Sequence, residues 1–470
     1  MNTYLGVDMG TSSMKATLID ESGAIVWQSS RPTDVISPRD GFYEIDPVRD
    51  CRGNFLSLCA ELAGKKLSQS VAAVCVSSMC ASFLPVGEDY EPLYNVVLYG
   101  IDRRAAAIAD ELNQRYGADF LRERLGGTFS TQSIFPKVIW FQRELPKVYA
   151  RAHAFIPAYD AITSFLTGRC AWDAPTAFGS LLLELSTLDY PDCLLKDYCL
   201  ERAKFPAVKS GLSVLGPLTD AGAEATGFRV GIPVMTGTGD INAEAMSAGA
   251  IDAGTALFAL GSTTSMLLNC EDPVTLPGYM PGLSLKDGTW RIGAASGCGA
   301  LFLKRAKEKF GEVPAPKKPT GIFFFPWFDG ARSPHNVPGV RGTIYGLTSS
   351  HTAADVAASA YETIGYDVAL LIDHAETLRP FPPEIHVTGG LCRDPEIAHL
   401  IADITGRTLL LHTSRDASCG SAMIALGALT GGAYPPVEPD AKIEPDPARR
   451  ALYLPLRRRY VELCDKLVHV

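Results

Sequence analysis

Apolar and polar positions along the chain follow two periods, which predict a succession of strands and helices. Short apolar runs predict strands, whereas apolar positions spaced three and four residues apart predict helices. The opening stretch, residues 4–19, predicts a hairpin of two strands around the small turn M-G-T-S-S. The predicted strands cover residues 4–8, 14–19, 24–31, 71–79, 231–240, 255–270 (two strands and a turn) and 384–390. The predicted helices cover residues 46–64, 103–117, 136–152, 241–251, 352–378 and 396–406.

The order of these elements predicts an α/β protein with two domains. Strands are grouped early in each half of the chain and helices follow them, which is the arrangement of an α/β layer. A chain of 470 residues is also too long for one ordinary core. We place the joint near residues 240–252 and the domains at 1–244 and 245–470.

Composition and charge exclude several classes of protein. The formal net charge of −9 argues against nucleic acid as the main partner. No run of about 18 apolar residues predicts a membrane span. The 12 cysteines are scattered without a C-x-x-C pair, and the 8 histidines show no spacing expected of a metal site. We therefore expect a reduced, cytoplasmic protein without a zinc site.

The first turn has a counterpart in the second half of the chain. D-M-G-T-S-S-M at 8–14 is similar to L-G-S-T-T-S-M at 260–266, and each lies between apolar strands. Glycine lets backbone N–H groups approach an anion, and Ser and Thr hydroxyls add further donors. An ordinary hairpin turn favours the same residue types. The repeat across two halves favours a pair of phosphate-binding turns.

Asp240 follows the glycine-containing sequence G-T-G and precedes a predicted helix at the domain joint. An aspartate in this position is a common helix N-cap. The alternative is a catalytic base that faces both hydroxyl-rich turns.

Longer motifs resemble one family. D-M-G-T-S-S-M-K at 8–15 resembles the first phosphate motif of the FGGY carbohydrate kinases, and G-F-Y-E-I-D-P at 41–47 resembles the segment that follows it there. Further similar segments lie at 136–140, 342–362 and 388–407. The resemblance covers nearly the whole chain, from about residue 3 to 430, and within the family it is strongest to the xylulokinases.

The resemblance implies two actin-like (ribonuclease H-like) domains around a central cleft, with sugar on the N-terminal domain and ATP-Mg²⁺ on the C-terminal domain. It implies that Asp8 holds the metal and that Asp240 is the general base. The residues that it implies for ATP are Thr11, Ser12, Ser13, Lys15, Gly261, Ser262, Thr263, Gly297, Gly390 and Asp394. Those that it implies for the sugar, besides Asp240, are Met79, Cys80, Asp102 and Arg104.

The implied reaction is ATP-dependent phosphorylation of a ketose or polyol hydroxyl. Cys80 stands where xylulokinases have histidine, and Ile241 stands where relatives have Asn or Gln, so the acceptor stays open between xylulose and ribulose, gluconate, glycerol or erythritol. A catalytically silent sugar sensor and an actin- or chaperone-like ATPase are the alternatives of another class. The intact Asp8 and Asp240 argue against the sensor. Family members are often dimers, and we expect a homodimer by that analogy alone.

Overall fold

The computed structural model describes residues 2–275 and 277–469, which fold into two compact units. The first unit contains Met1–Gly249, Gly282–Gly288 and Arg415–Pro436, and the second contains Ala250–Pro281, Thr289–Ser414 and Val437–Val470. The chain leaves the first unit at residue 249, returns to it briefly at Gly282–Gly288 and returns again for the late segment Arg415–Pro436. A functional boundary between residues 244 and 245 stays a prediction.

The elements alternate along the chain. The strands are β1 (Thr3–Met9), β2 (Ser13–Ile19), β3 (Ile25–Pro32), β4 (Glu44–Ile45), β5 (Val71–Ser78), β6 (Phe83–Val86), β7 (Val96–Val97), β8 (Ala154–Pro157), β9 (Trp172–Asp173), β10 (Val208–Lys209), β11 (Val214–Pro217), β12 (Pro233–Met235), β13 (Thr238–Gly239), β14 (Ala256–Leu260), β15 (Thr264–Cys270), β16 (Met280–Leu283), β17 (Trp290–Ser296), β18 (Phe323–Phe325), β19 (Thr343–Tyr345), β20 (Glu384–Thr388), β21 (Thr408–Leu411) and β22 (Ala441–Ile443). The α-helices are α1 (Asn54–Gly64), α2 (Ala106–Tyr116), α3 (Ala118–Leu125), α4 (Ile134–Glu144), α5 (Pro146–Arg151), α6 (Asp160–Thr167), α7 (Ala174–Gly179), α8 (Asp192–Asp197), α9 (Asp220–Thr226), α10 (Asp240–Ser247), α11 (Ala300–Phe310), α12 (Ala353–Glu376), α13 (Pro395–Thr405), α14 (Ala417–Thr430) and α15 (Pro447–Leu467). A π-helical segment spans Pro47–Gly53, and short 3₁₀ segments span Ser68–Ser70, Arg202–Lys204 and Gly390–Arg393.

The main sheet of the first unit has the strand order β11-β12-β5-β1-β2-β3, with β13 beside β5. Strands β1 and β2 form the antiparallel hairpin that the sequence predicts, and β1 and β5 run parallel. A four-stranded sheet, β4-β7-β6-β8, and the pair β10-β9 complete the unit. The ends of β1, β5 and β13 therefore lie side by side at one edge of the main sheet.

The main sheet of the second unit has the order β16-β17-β15-β14-β20-β21-β22. Strands β14 and β15 form the second predicted hairpin, and β14 runs parallel to β20. The long helix α12 packs against α11, α13 and α15, and its apolar side chains belong to one continuous core. Because β14 and β20 end at the same edge, the turns that follow them are neighbours.

Helix α14 belongs to the first unit and packs directly on β1, β5 and helix α10. Glycine permits two very close approaches. A Cβ added at Gly6 of β1 would lie 2.0 Å from the carbonyl oxygen of Ser418, and one added at Gly420 would lie 1.7 Å from that of Ala243. Residues 417–427 of α14 are all buried, so this helix is part of the core rather than a surface element.

Some element bounds differ from the predicted ones. The predicted helix 136–152 divides into α4 and α5 at Leu145, because Pro146 has no N–H and restricts the residue before it. The predicted strand 231–240 divides into β12 and β13. Within the part of the chain that the structure describes, no helix has both the length and the apolar composition needed to cross a membrane. None of the 12 cysteines, all of which are described, forms a disulfide.

Candidate active site

Asp8 lies at the end of β1, just before the turn into β2. Its main chain pairs with that of Lys15 across the hairpin, and its Oδ1 accepts a hydrogen bond of 2.8 Å from Ser77 Oγ on β5. Burial, and after it the nearby Asp240, raises the pKa of Asp8 to about 7, against the lowering effect of the Ser77 hydroxyl. Two carboxyl groups thus lie close together at this sheet edge, and a nearby cation would favour their ionised forms.

Asp240 is the first residue of α10, and Gly239 before it occupies the N-cap position. The Asp240 Oδ1 accepts hydrogen bonds from the Ile241 N–H at 2.9 Å and from the Cys80 thiol at 3.3 Å. Burial raises the pKa of Asp240, and the Cys80 hydrogen bond acts in the opposite direction. The Asp240 carboxylate therefore lies at the N-terminal, positive end of α10, but Asp240 is not the N-cap residue of this helix.

The backbone before Asp240 is held by buried side chains. The Gly239 N–H donates to Thr176 Oγ1 at 3.1 Å, and Thr238 Oγ1 donates to Asp173 Oδ2 at 2.9 Å. A Cβ added at Gly239 would lie 2.7 Å from the sulfur of Cys80. Only glycine fits at this position without moving Cys80 or Thr176.

The main chain at Cys80 is tied to a neighbouring loop. Gln132 Nε2 donates to the Cys80 carbonyl at 2.7 Å, and Gln132 Oε1 accepts from the Gly100 N–H at 2.8 Å. Burial raises the pKa of Tyr99, with smaller contributions from the charges of Asp240 and Cys80. Tyr99 therefore lies near the same carboxylate, whereas the predicted sugar residue Met79 is buried, with 4% of its surface exposed.

Lys15 faces a carboxylate from late in the chain. Its Nζ lies 3.1 Å from Asp416 Oδ2, and both side chains are partly exposed. Asp416 caps α14 by accepting from the Ser418 and Cys419 N–H groups. Burial raises the pKa of Asp416, but the Ser418 hydroxyl and Lys15 outweigh this effect, so the net pKa is lowered. The ammonium group of Lys15 is thus positioned at the same edge as Asp8.

The first hydroxyl-rich turn is closed by a hydrogen bond of 3.0 Å from the Gly10 N–H to the Ser13 carbonyl. Ser12 is exposed, and Thr11 and Ser13 are partly exposed. Their hydroxyl groups are therefore accessible to a ligand.

Asp102 and Arg104 lie in a buried ion-pair network, with no exposed side-chain surface on either residue. Arg104 Nη2 lies 2.8 Å from Asp102 Oδ2 and 2.7 Å from Glu44 Oε1. The Arg104 guanidinium also lies over the rings of Phe42 and Trp140. Asp102 Oδ2 accepts from the Tyr43 N–H at 2.8 Å, so the network fixes the loop that carries Tyr99. The structure does not place these two side chains on an open surface.

In the second unit, the turn Gly261–Thr263 meets the start of α11. The Ala300 N–H donates to the Gly261 carbonyl at 2.9 Å, and the Leu301 N–H donates to the Ser262 carbonyl at 3.1 Å. A Cβ added at Gly299 would lie 2.7 Å from the Ser262 carbonyl oxygen. The start of α11 therefore fixes the backbone of this turn, while the side chain of Ser262 is exposed.

The two other glycines that are predicted to bind ATP, Gly297 and Gly390, lie at the same edge of the main sheet of the second unit. Gly297 follows Ser296, which pairs with Thr264 at the start of β15. Gly389 has a φ of +95°, and a Cβ there would lie 2.4 Å from the Leu260 carbonyl oxygen. A Cβ at Gly390 or Gly297 would meet nothing within 4 Å, so both face open space. Asp394 caps α13 by accepting from the Glu396 N–H at 3.0 Å.

Comparison with known proteins decides the family. Residues 3–247 match the N-terminal domain of the FGGY family of carbohydrate kinases, and residues 293–429 match the C-terminal domain of that family. The chain belongs to the FGGY family of carbohydrate kinases. This FGGY kinase is therefore a phosphotransferase that acts on a sugar-type acceptor.

Individual relatives agree with the family and the fold. This FGGY kinase is 26% identical over 487 residues to the xylulose kinase of Escherichia coli (strain K12), with 99% of each chain covered. It is 26% identical over 427 residues to the glycerol kinase of Koribacter versatilis (strain Ellin345), covering 86% of this chain and 84% of the relative. The crystal structure of the xylulose kinase from Rhodospirillum rubrum superimposes with a TM-score of 0.90 at 23% identity, with 100% of each chain covered. The fold is thus the two-domain, actin-like α/β fold.

Sequence reasoning on this FGGY kinase missed five residues around the site: Ser77, Tyr99, Gln132, Asp173 and Asp416. A cap before the helix at 417–430 is a local signal for Asp416, but its contact with Lys15 spans 401 positions. Ser77 sits within an apolar strand pattern, and only the pairing of β5 with β1 brings it to Asp8. No local pattern predicts such contacts.

Proposed function

We propose that this FGGY kinase transfers the γ-phosphoryl group of ATP to a hydroxyl of a ketose or polyol, most like xylulose, with Asp240 as general base. The observation that carries this proposal is the Asp240 carboxylate at the start of α10, held by the Ile241 N–H and the Cys80 thiol and close to Asp8. A partly exposed carboxylate fixed in this way can receive a proton from a bound alcohol.

Asp240 would accept the hydroxyl proton as the acceptor oxygen attacks phosphorus. Burial supports this role, because a raised pKa makes the Asp240 carboxylate a stronger base than an exposed aspartate. Lys15 would offset the negative charge that develops on the transferred group, and the turn at Thr11–Ser13 would donate hydrogen bonds to phosphate oxygens.

The residues near Asp8 suit a divalent cation. The pKa of Asp8 is raised to about 7 by burial and by the nearby Asp240, so a positive charge nearby would stabilise the ionised form of Asp8. Carboxylate oxygens are the ligands that Mg²⁺ prefers. We propose that Asp8 holds Mg²⁺, directly or through water. When bound, Mg²⁺ would supply charge neutralisation at the phosphates.

We propose that the second unit binds the nucleotide through its glycine-lined sheet edge. Gly261, Ser262 and Thr263 would form a second phosphate-binding turn, supported by the hydrogen bonds from Ala300 and Leu301. Gly297 and Gly390 would let the nucleotide approach the backbone, because a side chain there would occupy open space. Asp394 would lie beside that pocket while it caps α13.

The acceptor would lie near Cys80 and Tyr99, which share the surroundings of Asp240. We propose that Cys80 and Met79 shape the sugar pocket, and that Asp102 and Arg104 act on the sugar through the loop that they fix, given their burial. The family relatives named xylulose kinase and glycerol kinase support a ketose or a polyol. Ribulose, gluconate and erythritol complete the set of acceptors to test.

The decisive experiment measures acceptor-stimulated ADP release for wild type and Asp240→Asn with xylulose, ribulose, gluconate, glycerol and erythritol. We expect one acceptor to stimulate wild type, and Asp240→Asn to lose about 10²–10⁴ in kcat while it still binds ATP. Asp220→Asn is the matched control, because Asp220 is also the first residue of a helix in the first unit but is exposed. Near-normal turnover by Asp240→Asn would refute the base, and acceptor binding without any turnover in wild type would favour a sensor.

We also propose a homodimer in the cytoplasm. The absence of disulfides among the described cysteines is typical of a reducing compartment, and the dimer rests on analogy with the family. Analytical ultracentrifugation of the purified chain tests the oligomeric state.

A further inference from the structure

Three side chains with metal-binding atoms meet in the second unit, on elements that carry none of the residues assigned to ATP or sugar. His335 lies between β18 and β19, His374 lies in the last turn of α12, and Asp465 lies near the end of α15. One ligand atom from each of them lies within 4.8 Å of the other two. His335 Nε2 is 2.8 Å from Asp465 Oδ1, and His374 Nε2 is 3.5 Å from the same oxygen.

The ring of His374 is oriented for a ligand. Its Nδ1 lies 3.0 Å from the carbonyl oxygen of Leu370. A carbonyl oxygen only accepts, so Nδ1 carries a proton, and Nε2 is the ring nitrogen that faces the Asp465 carboxylate. A backbone carbonyl bonded to the second nitrogen is also the usual support of a metal-binding histidine.

The separations match a tetrahedral site. Nitrogen and oxygen ligands bound tetrahedrally at about 2.0–2.1 Å lie about 3.3–3.4 Å apart. The two distances to Asp465 lie on either side of this value, and the 2.8 Å contact is a hydrogen bond that a bound ion would replace. His335 Nδ1 lies 4.0 Å from the sulfur of Cys464, while its Nε2 faces Asp465.

We propose that His335, His374 and Asp465 bind a divalent transition-metal ion of the Zn²⁺ type, with a fourth position open to water. Two imidazoles and one carboxylate suit Zn²⁺ rather than Mg²⁺, which prefers oxygen ligands. The ion would link the loop before β19 to the ends of α12 and α15. It would therefore stabilise the second unit without taking part in phosphoryl transfer.

The structure corrects the expectation that the histidines form no cluster, because His335 and His374 lie together beside Asp465. The sequence hides this arrangement because His335 and Asp465 are 130 positions apart. Zinc motifs are recognised by short spacings between ligands, and none exists here. Helix α12 packs beside α15, and the loop between β18 and β19 adds His335 to the two side chains that these helices carry.

The test is a titration of the full-length, chelator-treated protein with Zn²⁺ by calorimetry, in excess Mg²⁺ to occupy oxygen-rich sites such as that of Asp8. We expect one Zn²⁺ per chain and a thermal midpoint that rises with Zn²⁺ concentration. His374→Gln and Asp465→Asn should each weaken binding by about 100-fold or more, because ligand loss costs at least as much as loss of an outer partner. These side chains are 28% and 47% exposed, so both substitutions should preserve the fold.

His399→Gln is the matched control, because His399 is an exposed histidine of the same unit. It should bind Zn²⁺ as wild type does. Circular dichroism of the metal-free variants checks that they fold. If His374→Gln does not fold, the binding measurement on Asp465→Asn decides the test. Absence of Zn²⁺ binding by wild type, or unchanged binding by a folded His374→Gln or Asp465→Asn, would overturn the proposal. Activity with the acceptor should stay within about twofold of wild type in both variants, so failure of the metal site is separate from failure of the kinase proposal.

Discussion

The thiol of Cys80 is the nearest side-chain hydrogen-bond donor to the proposed base. It donates to Asp240 Oδ1 at 3.3 Å, at the position where the resemblance to xylulokinases implies a histidine. A thiol is a weaker donor than an imidazole, so the carboxylate is held less firmly. We therefore view Cys80 as a residue that adjusts the basicity of Asp240 as well as the shape of the acceptor pocket.

We expect Cys80→Ala to move the acid limb of the kcat/KM–pH profile to higher pH. Burial raises the pKa of Asp240 and the Cys80 thiol lowers it, so removal of the thiol raises the pKa further. The base is active when deprotonated, and the variant therefore needs a higher pH to reach full activity. Cys80→Ser keeps a donor and should restore most of the wild-type limb. Cys199→Ala, at an exposed cysteine, should leave the profile unchanged; an unmoved limb in Cys80→Ala would contradict the prediction.

Helix α14 shows what local patterns predict and what they miss. The two hairpins follow from apolar runs that flank small turns, and the structure confirms both. The sequence carries no sign that a helix after residue 416 packs in the first unit, because its small residues are compatible with any close contact. For the same reason, the sequence does not predict the contact of Asp416 with Lys15. It also does not predict that Asp102 and Arg104 are buried, because their network includes Glu44, which is distant in sequence.

We expect Gly420→Ala to destabilise the first unit by roughly 1–3 kcal/mol or more. The added Cβ would meet the Ala243 carbonyl oxygen at 1.7 Å, and backbone atoms cannot move aside as a flexible side chain can. Because Ala243 lies on α10, turnover should fall together with stability. Gly64→Ala is the matched control: its Cβ would meet nothing within 4 Å, and alanine should leave stability unchanged or raise it by up to about 1 kcal/mol. Urea unfolding of both variants measures the difference, and equal midpoints for Gly420→Ala and wild type would contradict this packing.

The whole molecule buries acidic groups outside the candidate active site as well. Burial raises the pKa of Glu362 and of Asp367 to about 7 each, against hydrogen bonds from Thr320 and Tyr453 to the former and from Ser296 to the latter. The native state therefore binds more protons than the unfolded chain between pH values near 4, where these carboxyl groups ordinarily ionise, and about pH 7. Stability from these groups is fully present below pH 4 and is lost as the pH rises through 7.

We expect Glu362→Gln to flatten the dependence of unfolding free energy on pH between about 4.5 and 7, because glutamine cannot ionise. Above about pH 7 the ionised Glu362 only accepts hydrogen bonds, so the amide N–H₂ of glutamine would lose one contact with Thr320 or Tyr453 there. Glu438→Gln, at an exposed position of the same unit, should keep the wild-type slope. Urea titrations at a series of pH values measure the slope, and an unchanged slope for Glu362→Gln would show that this carboxyl group does not carry the effect.

The late return of α14 to the first unit has a consequence during synthesis on the ribosome. Residues up to 249 emerge without the helix that covers β1 and β5, and α14 follows only after most of the second unit has been translated. At a translation rate of about 5–20 residues per second, on the order of 10–30 s pass between synthesis of residue 249 and synthesis of α14. During that interval the apolar face of the sheet that α14 later covers is exposed, and a chaperone could bind it. A chain that terminates before residue 417 would keep that face exposed.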